Sequence, residues 1–544
     1  MTPEFNLIDD PWILVERHHG GPATVSLTTL FGDAADFTRI TGDLPTQALP
    51  ILRLALAIVH RAIEGPATFA DWKDLWDAKR LPAEDIADYL AEHRSRFDLF
   101  HPETPFYQVA DLTTKKTELG LAAFIADVPT GNPKYATRAA EGLERMDFAE
   151  AARWLVHCHA FDLSGIKGAA EGDPRAKGGK SYPIGPGSLG RLGGVYAEGD
   201  NLAETLMLNL IPDEFLYGED APDEDDIPVW ERDPHGPTPE DRQPPGIPKG
   251  LCDLYTWQSR RLRLVADDTG VTGALICQGD KLELRDQFAN EPMTVWRRSE
   301  HQQKLLKSAK PIYLPRRHDP DRNVWRGLSA SLPALSAGST AGAKFLPPKV
   351  VDWIGFASNR GLIARERTVH YHATGIAYGT QEAVITEIID DRLSVAVALF
   401  EADNRELAIT VADAVIEAEK SVWALAALAR DLARAAGGRD GVEGAGIAAS
   451  VTAYAALDDR YRVWLAKLGP DTDTDAARAE WQRTVWQVVR DHGARLVAAA
   501  GPAAWVGRGE GKDLINTPLA ELRFRDRLRL ALALAFPPRP EEPA

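Results

Sequence analysis

The sequence predicts an α+β fold: a large mixed α/β N-terminal domain over residues 1–378, then a C-terminal four-helix bundle over 379–544. Three observations carry this. The chain has 544 residues, 44% of them hydrophobic, with 14 Trp, enough for a large packed core. From about residue 391 it turns Ala-, Leu- and Arg-rich, and its apolar residues recur every three or four positions. Upstream, apolar helical segments alternate with short strand-like runs and Gly- and Pro-rich stretches.

The elements follow in order. Phe5 to Val15 reads as entry to a short strand pair, with Pro11 restricting it to a sheet edge. Leu49 to Ala62 is a helix with Ile51, Leu52, Ala55, Leu56 and Val59 on one face. Phe148 to Phe161 is a second, with Ala151, Trp154, Leu155 and Cys158 at helical spacing. Residues 164–200 form a long Gly-rich loop, and 212–248 an acidic, Pro-rich linker or surface loop. Leu251 to Val265 and Ala274 to Leu284 suggest strands. In the C-terminal part, Leu407, Val411, Val415, Ala418, Val422, Leu425, Leu428 and Leu432 mark one long amphipathic helix closed by Gly437-Gly438. Helices at about 445–468, 474–500 and 514–536 follow, ended by Gly469-Pro470, Gly501-Pro502 and Pro537-Pro538. Short turns between four such helices imply an up-down bundle.

The net charge of −18 argues against nucleic acid if read as an average. It is uneven, however. Residues 213–241 hold twelve acids against Arg232 and the adjoining Arg242, a local balance of −10. The rest is mildly acidic and leaves room for basic patches. No run of about 18 apolar residues exists, so no membrane span is expected. The N-terminus lacks the charge and apolar pattern of a secretory signal. Three cysteines are too few for a disulfide scaffold and suit a reducing cytoplasm.

Several motifs fail on context. Gly185-Pro-Gly187-Ser-Leu-Gly190 matches G-x-G-x-x-G, but no apolar strand precedes it and no helix opens on it. It reads instead as a backbone loop that approaches something closely. Gly179-Lys180-Ser181 resembles the end of a phosphate loop, yet Pro174 stands where the first Gly is required and Pro183 blocks the following helix. The plain reading is a basic loop. His157, Cys158 and His159 adjoin on one helix and face different ways, as do His370 and His372, so neither group suits zinc. His318-Asp319 is the dipeptide of metal-dependent phosphohydrolases but lies in a loop between Pro315 and Pro320. It supports the alternative function, a metal-dependent nucleic-acid hydrolase. A helical scaffold without DNA contact is a third reading.

Several segments together resemble one family, the large subunit (CasA) of the type I-E CRISPR Cascade surveillance complex. They are Phe5–Ile13, Leu44–Gln47, His101–Gln108, Gly185–Gly194, Asn201–Asn209 and Leu254–Arg261. Their order spans nearly the whole chain, and the terminal bundle fits. The resemblance implies a non-catalytic, cytoplasmic subunit without cofactor. Its partners would be the other Cascade subunits, crRNA, target duplex DNA and a helicase-nuclease recruited after binding. It would recognise the protospacer-adjacent motif and help open the duplex, while guide pairing reads the target.

Site residues follow from the same resemblance. Gly185, Pro186, Gly187, Ser188, Leu189 and Gly190 would bring main chain to the minor groove, and Lys281 would enter it. Ser358-Asn359-Arg360-Gly361 would form the wedge that splits the duplex, with Arg360 where the family often has Gln. Asn132, Lys134, Tyr135 and Arg138, within Thr130–Arg138, would contact crRNA and neighbouring subunits. Some family members carry a cysteine cluster fit for zinc. Cys252 and Cys277 are isolated here, so no metal is expected. Because the glycine loop lies outside any periodic segment, Gly187→Asp is expected to abolish motif recognition while leaving the fold intact. Arg523 and Arg527, and Arg525 and Arg529, stack four apart along a helix and are expected at a surface.

Overall fold

The computed structural model describes residues 3–115, 119–128, 143–218, 222–336, 342–438, 440–509, 511 and 514–537. They form two compact units. One comprises Met1–Arg322, Gly338–Ile354 and Val369–Arg392; the other comprises Asn323–Ala337, Gly355–Thr368 and Leu393–Ala544.

The first unit mixes helices with small antiparallel sheets. Strand Ile13–Arg17 pairs with Pro22–Val25 on one side and Phe37–Ile40 on the other. It is therefore central, not an edge. Pro11 precedes the strand and removes no ladder donor from it. Helix Ala48–Ala62 is buried continuously from Ala48 to His60 rather than along one face. Such a helix lies inside a core. It carries Arg53 inward, where Glu291 accepts two hydrogen bonds from the guanidinium at 2.5 and 3.0 Å. Helix Phe148–Phe161 starts at Asp147, whose carboxylate accepts from Glu150 N at 2.7 Å. From Ala151 to Phe161 it is wholly buried.

Leu251–Tyr255, expected as strand, is a short helix. The strands there are Arg260–Asp267 and Gly270–Gln278, paired antiparallel. Of the two readings of the acidic stretch, its described residues fit the surface loop, pinned to the fold at several points. Trp230 is 2% exposed and packs on Phe97. Glu231 receives Arg61 through two bonds of 2.8 and 2.6 Å, and Arg242 holds Asp253. Aromatic burial and bidentate pairing recover what an acidic composition hides.

The second unit is dominated by helices Arg405–Ala435, Val442–Leu465, Thr474–Ala498 and Thr517–Ala531, with a short helix Pro502–Val506 before the last. Arg405–Ala435 packs against each of the others. Its core is aromatic: Trp325 stacks on Tyr461 at 4.4 Å, and Trp481 meets Tyr461 edge-on at 5.2 Å. Arg523 and Arg525 are exposed, Arg525 pairs with Glu521, and Arg527 lies over the Trp423 ring at 5.2 Å. Among the described residues, no helix is long and apolar enough to cross a membrane.

Candidate nucleic-acid interface

A buried helix end must find donors for its last carbonyls. Helix Phe148–Phe161 finds them in the glycine loop. Ser188 N donates to His159 O at 2.9 Å, Leu189 N to Ala160 O at 2.8 Å, and Gly187 N to Asp162 O at 2.9 Å. The Tyr378 hydroxyl donates to Phe161 O at 2.8 Å. Arg260, fully buried, ion-pairs with Asp162 and donates to Gly185 O at 2.8 Å. Burial works against the Asp162 carboxylate, but Lys167 and Arg260 together hold its pKa below the usual range.

The loop's glycines are set by this seat. Gly185 has φ +111°, a left-handed value. A Cβ on Gly187 would lie 2.5 Å from both Ala160 O and Phe161 N. Gly187 is thus a position of close backbone approach within the chain itself. This overturns the expectation that Gly187→Asp leaves the fold intact. The loop's outer face is different: Ser188 is half-buried, and Tyr182, just upstream, is 63% exposed.

Lys281 follows strand Gly270–Gln278. The ladder continues beyond the strand, with Gly279 N donating to Ser259 O and Asp280 N to Gln258 O. Asp280 is fixed by Arg261 at 2.8 Å, so Lys281 springs from a rigid base. Its side chain is exposed and makes no ion pair among the described residues. Lys281, Pro186, Gly187, Ser188, Ser259 and Arg191 line one small cleft. The structure thus brings the glycine loop and Lys281 together. Arg191 is held by Glu382 at 2.8 Å, and Glu382 also takes Arg317.

Asn359 and Arg360 lie in the second unit, at the end of helix Lys349–Asn359. Leu362 N donates to Ala357 O at 2.8 Å and Gly361 N to Ser358 O at 2.9 Å. With Gly361 at φ +71°, this is a Schellman cap. Ser358 Oγ donates to Glu401 at 2.7 Å, and Asn359 Nδ2 to Asp403 at 3.1 Å. Arg360 is exposed, its guanidinium 5.0 Å from the Phe356 ring centre. Asn132, Lys134, Tyr135 and Arg138 lie outside the described residues.

The remaining motifs make contacts within the fold. His157 Nε2 bonds the Thr46 hydroxyl and His159 Nε2 the Tyr107 carbonyl, each at 3.0 Å. Burial pushes both rings down to about 3. His318 Nε2 bonds Gly194 O at 3.0 Å, and the Asp319 carboxylate accepts from Asp321 N within its own loop. Neither belongs to a cluster of metal-type ligands among the described residues; such a cluster exists at His235, Glu240 and Asp280. There Arg242 and Arg261 already occupy the two carboxylates. Cys158, Cys252 and Cys277 are all buried and free.

Sequence reasoning missed Arg260 and Tyr378, which seat the loop, and the buried contact of His372 with Glu198 (2.8 Å) and Asp390 (2.6 Å). Arg260 carried little local signal: within the strand-like run its neighbours are Ser259 and Arg261.

Comparison with known proteins agrees with this architecture. The family model described as CRISPR-associated protein Cse1 matches residues 6–492. The crystal structure of Thermobifida fusca Cse1 superposes with a TM-score of 0.89 at 44% identity, covering 98% of this chain and 99% of that one. CasA/Cse1 of Thermus thermophilus is 32% identical over 338 residues, 61% of this chain. That match spans 60% of the relative's own length. A chain of a CRISPR RNA-guided surveillance complex shares the fold, with a TM-score of 0.63 at 19% identity over 91% of this chain. The chain belongs to the CRISPR-associated Cse1 (CasA) family.

Proposed function

We propose that this chain is the large, non-catalytic subunit of an RNA-guided DNA surveillance complex. In that role it recognises a short flanking motif in duplex DNA, promotes strand opening and presents the complex to a helicase-nuclease. One observation carries the reading at residue level: Lys281, exposed and without an ion pair among the described residues, shares one cleft with the glycine loop. A lysine is a mobile donor with no acceptor, suited to the acceptor-lined floor of the minor groove. A rigid, backbone-walled cleft beside it gives shape discrimination. Family membership and the shared fold with a surveillance-complex chain support the setting. Asn359 and Arg360 are the proposed wedge, and Asn132, Lys134, Tyr135 and Arg138 the proposed crRNA and subunit contacts.

The test is duplex binding by reconstituted complex across every flanking trinucleotide. Lys281→Ala should leave assembly and thermal melting unchanged and reduce the preference between best and worst motifs roughly tenfold or more. An unchanged preference would remove Lys281 from the motif reader. Metal-dependent cleavage by the isolated chain, lost in His318→Ala, would support the hydrolase reading instead.

A further inference from the structure

The Gly179-Lys180-Ser181 segment, which failed as a phosphate loop, forms the tip of a small hairpin. Strands Lys167–Gly168 and Lys180–Ser181 pair antiparallel. Lys177 and Lys180 exchange backbone hydrogen bonds of 2.9 and 3.2 Å across Gly178 and Gly179. Those glycines have φ +60° and +73°, the pair of left-handed values that a two-residue type I′ turn requires. The turn is thus fixed by Lys-Gly-Gly-Lys, and it holds a lysine on each side. Lys115 comes from a separate segment: a Cβ on Gly179 would lie 3.9 Å from Lys115 Cδ.

Lys115, Lys177 and Lys180 are all exposed, and none has an ion pair among the described residues. Neighbouring cations differ. Lys167 pairs with Asp162 at 2.7 Å, and Arg175 with Asp173 at 3.0 Å. The acid on this hairpin's flank, Glu171, accepts from the Thr113 hydroxyl at 3.2 Å. In a chain of net charge −18, two lysines on one rigid turn and a third beside it, none with an ion pair among the described residues, mark a surface for a polyanion. Lysine lacks the planar fork that reads base edges, so the surface suits phosphates without regard to sequence. Its place in the chain favours a duplex over the guide RNA. Lys180 lies five residues before Gly185, at most about 18 Å of extended chain. Duplex DNA presents roughly ten phosphates over that length.

We propose that Lys115, Lys177 and Lys180 clamp the phosphate backbone of the duplex that carries the flanking motif. The clamp adds sequence-blind affinity, while the glycine loop and Lys281 add discrimination. The proposal rests on the reading of that cleft as the motif reader.

The experiment uses reconstituted complex carrying Lys177→Ala and Lys180→Ala together. Motif-bearing and motif-lacking duplexes of equal length are titrated from low to physiological salt. Both affinities should fall by a similar factor, about tenfold at low salt. The slope of log affinity against log salt should lose about two units of magnitude. The ratio between the two duplexes should stay unchanged, and Lys177→Arg with Lys180→Arg should restore the slope. An unchanged slope overturns the clamp, as does a loss confined to the motif-bearing duplex. Failure of the alanine variant to assemble on guide RNA would point to an RNA contact and also overturn it. Lys281→Ala in parallel separates the two readings. If it leaves discrimination intact, the motif-reader reading fails while the salt slope still decides the clamp.

Discussion

The glycine loop Gly185–Gly190 is seated by its backbone, whereas the turn Ser358–Gly361 is seated by its side chains. In the first, three consecutive N–H groups cap a buried helix, and Gly187 faces Ala160 main chain with no room for a methyl group. In the second, Ser358 and Asn359 are tied to Glu401 and Asp403, while Gly361 faces open space. Both turns carry glycine where sequence reasoning expects contact with DNA. The difference teaches that glycine has two causes. In one turn it permits a close approach inside the fold; in the other it permits a backbone angle. Substitution therefore reports folding at the first site and surface contact at the second.

The largest expected effect breaks the first turn. Gly187→Asp drives a Cβ into the Ala160–Phe161 peptide and buries an unpartnered carboxylate. Overpacking and buried charge together place it among the severe substitutions, about 4 kcal/mol or more. Thermal melting of the isolated chain should show a fall of about 8 °C or more in the first transition, or failure to fold. Gly187→Ala carries the clash without the charge and should fall between mutant and parent. A parent-like melt for Gly187→Ala would falsify the seating described here.

Acid should loosen the first turn and spare the second. His157 and His159, on the helix that seats the glycine loop, and His60, on another buried helix of that unit, are held neutral by burial. Their pKa values are lowered to about 3, 3 and 4. The unfolded chain binds protons below about pH 6.5 and the folded one does not, so their stabilisation is present above 6.5 and is lost as pH falls. At pH 5.5 each costs about 1.4 kcal/mol. His372 has the opposite sign. Burial opposes its charge, but hydrogen bonds to Asp390 and Glu198 raise its pKa, so its contribution persists in acid and is lost as pH rises. Glu198 is lowered to about 2, despite burial, by His372 and Arg392; it contributes fully at pH 5.5 and is lost only on further acidification. Hydrogen exchange at pH 5.5, corrected for intrinsic rate, should accelerate over Phe148–Phe161 and Gly185–Gly190. Gly355–Thr368, in a unit with the single histidine His492, should be unchanged. Equal acceleration in both segments would contradict the assignment.

Much of the bundle was legible because its signals are local. Leucines and valines spaced by three or four, with Gly437-Gly438, Gly469-Pro470 and Gly501-Pro502 as stops, lie within a turn or two of the helices they define. The segments Asn323–Ala337 and Gly355–Thr368 were not legible as parts of the helical unit. Trp325 belongs there through its stack on Tyr461, more than a hundred residues away, and no local period encodes that. The helix Leu251–Tyr255 was missed because a short apolar run fits strand or helix equally. At the site, the Gly185–Gly190 run stood out as aperiodic and Gly-rich. Its seat did not, because bonds from Gly187, Ser188 and Leu189 to carbonyls 25 to 29 residues upstream leave no mark on composition. Lys180 was visible as part of a basic loop; Lys177 was not singled out. That Lys177 and Lys180 flank one turn with Lys115 alongside depends on backbone angles and on a contact between separate segments, which no local pattern encodes.

The smallest effect sharpens the second turn. Gly361→Ala meets no atom within 4 Å, so it costs only the left-handed backbone angle, about 1 kcal/mol. Arg360→Ala loses an exposed contact with Phe356 and should change stability by less than about 0.5 kcal/mol. Both variants should assemble. If Arg360 enters a base step as the wedge, Arg360→Ala should slow opening of the duplex beside the motif several-fold. The initial affinity for closed duplex should be unaltered. Fluorescence of a 2-aminopurine placed at the first base pair past the motif reads this directly. Arg360→Gln retains a long polar side chain on the same cap and should recover much of the opening rate. Opening at the parent rate in Arg360→Ala, with Gly361→Ala equally silent, would leave this corner as a helix cap alone.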